Sequence, residues 1–149
     1  GMTTEKYETK QMKEKLADFF AKKDIAGAKA YFLESLEKRP DVLMEASDIT
    51  GELKVSMQVV AVCELEEQEL GQSVIDRIQD FDGLMHYFNR LNDVINSCKM
   101  GHLQEEDITF LKEAQVSEIA IEASARLFCT EEAELARVVA DVKKVAGCS

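Results

Sequence analysis

Tryptophan is missing from this chain, and proline occurs once, at Pro40. Seven glycines in 149 residues are also few. An all-β fold with many tight turns needs more of both, because Gly and Pro supply the backbone angles that turns require. Only two histidines are present, His86 and His102. A helical di-metal centre uses Glu-x-x-His pairs, which put a carboxylate and an imidazole on one helix face. Gly83 stands three residues before His86 and Lys99 three before His102, so neither pair exists. The four cysteines, Cys63, Cys98, Cys129 and Cys148, are 35, 31 and 19 residues apart. None has the two-residue gap of a zinc knuckle or a redox motif. Cys63 and Cys98 sit among apolar neighbours and read as small core residues.

Long apolar runs are lacking too. The longest stretch, Val55 to Cys63, contains Ser56 and Gln58 and falls far short of the roughly 20 residues that span a bilayer. The opening Gly-Met-Thr-Thr carries no apolar targeting segment. Gly1 before Met2 reads as a cloning remnant, so a single domain is expected over residues 2–149. The cysteine spacing and the absence of a targeting segment predict a cytoplasmic protein with reduced thiols. Positive charge is scarce: 18 basic side chains face 29 acidic ones, a net charge of −11. Such a surface repels phosphate backbones and anionic lipid, which argues against nucleic-acid and membrane partners. The imbalance is uneven. Residues 1–39 hold 9 basic and 7 acidic side chains, whereas residues 40–149 hold 9 and 22. That excess is a solvated surface or an acidic face for a basic partner.

What remains is a globular mixture, 46% hydrophobic and 32% charged, in a chain long enough to bury about 68–70% of its unfolded surface without a disulfide or a metal. Its dominant pattern is helical. A first helix is expected from Glu5 to Lys22, with Met12, Leu16, Phe19, Phe20 and Lys23 on one stripe. Asp24 is a cap candidate for a second helix, Ile25 to Arg39, whose inner face holds Ile25, Ala28, Phe32, Ser35 and Leu36. Pro40 ends it, because the residue before a proline disfavours helix. Asp41 can cap a short third helix to Ile49, with Thr50-Gly51 as a break or a close-packing point. In Glu52 to Leu70, Leu53, Val55, Met57 and Val59 alternate like a strand before Val60 and Val62 shift phase. A buried helix fits better, since no turn signal interrupts the stretch; strand stays open.

Gly71 breaks the chain. Then Val74, Ile78, Phe81, Met85, Phe88, Leu91, Ile95 and Cys98 follow at steps of three and four, which predicts one helical seam of some seven turns, interrupted only by Gly83 and stopped at Gly101. The seam is either core or a homo-oligomer interface. Another helix is expected near Asp107, with Ile108, Leu111 and Ala114 inside. Ser117 is a cap for the next, where Ala120, Ala123, Ala125 and Leu127 permit close helix approach. Thr130 caps the last, with Leu135, Val138, Val139 and Val142 inward, and residues 146–149 fray. The expected fold is all-α, an antiparallel stack of six or seven helices joined by short connections.

Leu16-Ala17, Phe20, Ala28, Phe32, Ser35 and Pro40 occupy the places of an apolar-small pair, an aromatic one turn later, a turn, then Ala, aromatic, small residue and closing Pro. With one residue deleted near Lys23-Asp24, residues 16–40 resemble one tetratricopeptide repeat. No second copy is evident. The resemblance implies a helical hairpin in a tetratricopeptide-like α-α superhelix, with peptide or protein binding on the face of its first helix. The implied groove positions are Gln11, Glu14, Asp18 and Lys22. Glu14 and Asp18 stand where carboxylate-clamping members of that family use Lys and Asn, so acidic C-terminal tails are poor ligands.

Other chemistry is thin. The run Glu64-Leu65-Glu66-Glu67-Gln68-Glu69 suggests a magnesium site of the all-α pyrophosphatase kind, but Leu70 replaces the third carboxylate and no later Glu-x-x-Asp lies between residues 71 and 120. A solvated helix end is the expectation. Residues 110–121 faintly resemble a helix-turn-helix, yet the would-be recognition helix has Glu118 and Glu122 against Arg126 alone. No phosphate loop, nucleophile elbow or adjacent His-Asp pair is present. The reading is a non-enzymatic protein-interaction domain with no cofactor, no metal, no catalytic residues and a protein or peptide partner. An enzyme or small-molecule binder with a site assembled from distant residues is the alternative, and a homo-oligomer subunit a third.

Overall fold

The computed structural model describes residues 2–38 and 47–147. Seven α-helices occur among them: α1 (Met2–Ala21), α2 (Ile25–Lys38), α3 (Ser47–Leu70), α4 (Phe81–Lys99), α5 (Glu105–Glu113), α6 (Glu118–Phe128) and α7 (Glu132–Ala146), with a single 3-10 turn at Val74–Asp76. The fold is an all-α helical stack, and no strand occurs among the described residues. Pro40 and Asp41 lie outside them, as does the side chain of Leu36. The helices group into two compact units, residues 1–86 and 87–149.

In the first unit, α1 packs on α2 and α3, and α2 on α3. Met12, Leu16 and Phe20 are buried on one stripe of α1, and Ile25, Ala28 and Phe32 on one stripe of α2, as the 3.6 periodicity demands. Lys23 departs from expectation. It lies beyond the helix, exposed, with φ 58°. The Lys23 N–H donates to the Phe20 carbonyl at 3.0 Å and the Asp24 N–H to the Phe19 carbonyl at 2.9 Å. These two bonds form a Schellman stop in which a lysine holds the left-handed position usually given to Gly. Asp24 then opens α2 by accepting the Gly27 N–H at 2.9 Å. The hairpin connection is thus very short.

The ambiguous stretch is helical. The α3 helix runs through Thr50-Gly51 without a break. Ser56, Gln58, Val59, Val60, Val62, Cys63 and Glu66 are all buried on it. Its exposed stripe carries Met57, Ala61 and Leu65 while Ser56, Gln58 and Glu66 are buried, so its sequence lacks a clean amphipathic period. Gly71, at φ 72°, ends it.

The expected seven-turn seam does not form as one helix. Val74–Asp76 make the 3-10 turn, residues 77–80 are non-helical, and α4 starts at Phe81. Two carboxylates account for the interruption. Glu66, only 2% exposed, accepts the Val74 N–H at 2.7 Å. Asp80 accepts the Gly83 N–H at 2.6 Å and caps α4. Apolar spacing survives across the break because Val74 and Phe81 are buried on either side. Phe81 stacks on Phe20 with ring centroids 5.2 Å apart.

In the second unit, α7 packs on α5 and α6. Phe88, Leu91, Val94, Ile95, Leu111, Ala120, Ile121, Ala125, Val138 and Val142 are fully buried. Gly101 stops α4 with φ 78°, and the His102 N–H reaches back to the Ser97 carbonyl at 2.8 Å. Ser117 caps α6 through the Ala120 N–H at 3.0 Å. The helix expected near Asp107 is α5; Asp107, buried in its first turn, accepts the Gln104 N–H at 3.0 Å and pairs with Arg90 at 3.0 Å. Two expectations need correction. Leu127 is 50% exposed, so it does not mediate helix approach. The N-cap of α7 is Glu131 rather than Thr130, and no side-chain bond caps it.

Candidate functional site

The hairpin carries the residues that the sequence singles out. Gln11, Glu14 and Asp18 on α1, and Lys22 in the turn just after it, are all exposed. Successive helical residues turn by about 100°, so positions 11, 14, 18 and 22 form one stripe, roughly opposite Met12, Leu16 and Phe20. Asp18 and Lys22 pair at 3.2 Å, in the open, where such a pair contributes at most about 1 kcal/mol. Beside the stripe, the Lys15 ammonium lies 5.3 Å from the centroid of the Tyr31 ring, and Tyr31 tilts against Phe19 at 5.9 Å. This half-buried layer ties the outer flank of α1 to α2.

At the hairpin tip, a cleft of about 340 Å³ is lined by Lys23, Asp24, Glu64, Glu67 and neighbours. Its charges are largely engaged. Lys29 pairs with Glu64 at 2.7 Å and Lys23 with Asp76 at 3.0 Å. The hydrogen bond from Lys23, then the Ser73 N–H, hold the Asp76 carboxyl below its ordinary value. The acidic run is therefore divided. Glu64 faces Lys29, while Glu66 is buried against the Val74 N–H. Among the described residues no three His, Cys, Asp or Glu side chains gather as metal ligands. His86 and His102 are both exposed.

The second unit holds a larger cleft, about 750 Å³, between the end of α4, α5 and α7. Leu103, Ile108 and Val145 give it apolar walls, and Lys112, Arg137, Asp141 and Lys144 its charges. Arg137 is engaged twice, with Asp141 at 3.4 Å and with the Lys99 carbonyl at 3.2 Å. Cys98 also lines it; burial, then Asp141, pushes its thiol up. Sequence reasoning missed this cleft. Its walls come from three helices, and within each helix the lining positions look like ordinary flank residues. Lys112 and Lys144 in last helical turns were the available signal, and the helix dipole accounts equally well for those.

The junction between α5 and α6 is a tight turn through Gln115 at φ 51°. Among the described residues no helix is long and apolar enough to cross a membrane. No known protein family, curated protein or solved structure matches the chain.

Proposed function

We propose that the chain is a helical protein-interaction domain, with α1 of a tetratricopeptide-like hairpin as its recognition face and a basic peptide segment as its ligand. The observation that carries this reading is the division of α1. One stripe locks into the core through Met12, Leu16 and Phe20, while Gln11, Glu14, Asp18 and Lys22 stay exposed on the other. A rigid helix presenting fixed polar groups loses little entropy on binding. Glu14 and Asp18 supply the acidic groups of the face itself, and the net charge of −11 of the whole chain, carried by residues 40–149, draws a cationic segment toward the molecule. Three buried free thiols, Cys63, Cys98 and Cys129, suit a reducing compartment such as the cytoplasm.

The test is a titration of the full chain with a fluorescein-labelled Lys/Arg-rich peptide at low salt. The double variant Glu14→Lys, Asp18→Lys is expected to weaken binding at least tenfold and to leave the circular dichroism melt unchanged. Equal affinity of the variant and the parent chain rejects α1 as the recognition face.

A further inference from the structure

We infer that the cleft between α4, α5 and α7 is a binding site for a single-chain amphiphile with an anionic carboxylate head, of the fatty-acid class. This inference concerns residues 98–147 and stands apart from the reading of the hairpin.

The first support is the distribution of chemistry over the walls. Leu103, Ile108 and Val145 are each only half-buried and face one volume of about 750 Å³. That lies within the roughly 300–1,000 Å³ range of small-molecule pockets. The lining on α7 extends from Arg137 to Gly147, which at 1.5 Å per residue makes an elongated groove of about 15 Å.

The second support is charge. Lys112, Arg137 and Lys144 face a single carboxylate, Asp141. Asp141 is already paired with Arg137. Neither Lys112 nor Lys144 has a side-chain ion pair or hydrogen bond to a described residue. Two ammonium groups with no partner among the described residues, on an apolar groove in a chain of net charge −11, mark a local preference for an anion. Helix-dipole stabilisation explains a lysine in the last turn of a helix. It does not explain why the apolar side chains between the two lysines are left uncovered.

The third support separates a lipid-like ligand from a peptide. The walls are largely helical, and backbone N–H and C=O groups inside a helix are spent on one another. An extended peptide would bring its own amides onto Leu103, Ile108 and Val145 without backbone partners, at a desolvation cost. A chain that is apolar along its length and charged at one end brings no amides that would be left without partners. Asp141 in the same cleft disfavours a head of higher negative charge, which points to a carboxylate rather than a phosphate.

Isothermal titration of the full chain with decanoate, below its micelle concentration, tests the inference. Saturable one-to-one binding is expected. Decanol and decyl phosphate should each bind at least fivefold more weakly. Lys112→Glu with Lys144→Glu should weaken decanoate binding at least tenfold, with an unchanged circular dichroism melt. Lys13→Glu, outside the cleft, should leave it unaltered. Absence of saturable binding overturns the inference, as does decanol binding equal to decanoate. Unaltered affinity in the double variant does the same. Tighter binding of decyl phosphate overturns the choice of a carboxylate head.

Discussion

Asp80 accepts the backbone N–H of Gly83 at 2.6 Å, and the Leu84 N–H bonds to the Asp80 carbonyl at 3.1 Å. Together these bonds set where α4 begins. The same Asp-x-x-Gly arrangement opens α2, with Asp24 and Gly27. In both places the residue after the aspartate, Ile25 or Phe81, is buried. Each cap therefore also fixes the first apolar anchor of its helix.

Gly83 has a steric role in this cap. A Cβ there would stand 2.8 Å from Ile78 Cγ2 and 3.1 Å from an Asp80 carboxylate oxygen. Helix propensity alone would favour Gly83→Ala by about 1 kcal/mol. The clash is expected to outweigh that gain and lower the melting temperature. Asp80→Ala should cost about 0.5–2 kcal/mol through loss of the cap. Thermal melts followed at 222 nm check both, and a rise in melting temperature for Gly83→Ala would show that the cap is not sterically tight.

Lys23 sits in the left-handed region at φ 58°, where a side chain costs about 1–2 kcal/mol relative to ordinary backbone. Its ion pair with Asp76 is exposed and returns less than that. Lys23→Gly is therefore expected to stabilise the hairpin by about 0.5–1 kcal/mol, after allowance for the entropy of Gly in the unfolded chain. Urea denaturation provides the measurement. A loss of stability would mean that the pairing with Asp76 outweighs backbone strain.

Phe32 and Tyr31 are adjacent on α2 but differ in setting. Phe32 is 1% exposed, whereas Tyr31 is half-buried against Phe19 and Lys15. Phe32→Ala should cost about 3–5 kcal/mol, the usual loss for a buried aromatic. Tyr31→Ala should cost clearly less, and Leu33→Ala, at a side chain 50% exposed, less than about 0.5 kcal/mol. Denaturant midpoints of the three variants give the order. Equal losses at positions 31 and 32 would contradict the packing of α2 on α1.

Burial pushes the Cys63 thiol well above its ordinary value, with Glu66 adding to the rise. The unfolded chain ionises this thiol near pH 8.5. A raised folded-state pKa means that the stability contribution is fully present below about pH 8.5 and is lost as pH rises toward the folded pKa. One such thiol gives a slope of about 1.4 kcal/mol per pH unit once the unfolded thiol is ionised. Comparison of the parent chain with Cys63→Ala between pH 8 and pH 10.5 isolates it, since the variant lacks the term. Parallel pH profiles would show that the thiol ionises as readily in the folded protein as in the unfolded one.

Local chemistry made much of the architecture legible. Periodicity at 3.6 residues marked the buried stripes of α1, α2 and α7, and short-range hydrogen bonds marked Asp24, Gly71, Gly101 and Ser117 as helix boundaries. These features depend on residues within about two turns of one another, so the amino-acid order alone determines them. The placement of Gln11, Glu14, Asp18 and Lys22 away from the core stripe of α1 was legible for the same reason.

Tertiary structure decided the rest. Apolar spacing from Val74 to Cys98 suits one long helix, yet Glu66, eight residues before Val74, takes a backbone N–H there and the chain turns at Asp80 instead. In α3, polar Ser56, Gln58 and Glu66 are buried while Met57 and Leu65 are exposed, which erased the contrast on which a periodicity argument relies. Asp107 is legible as part of a helix start, but its burial against Arg90, seventeen positions earlier, is not. The cleft of Lys112, Arg137 and Lys144 has no local signature at all, because its shape arises only when three helices leave a gap between them. Sequence order encodes interactions between near neighbours directly. A cavity or a buried ion pair depends on distances that exist only after the chain has packed.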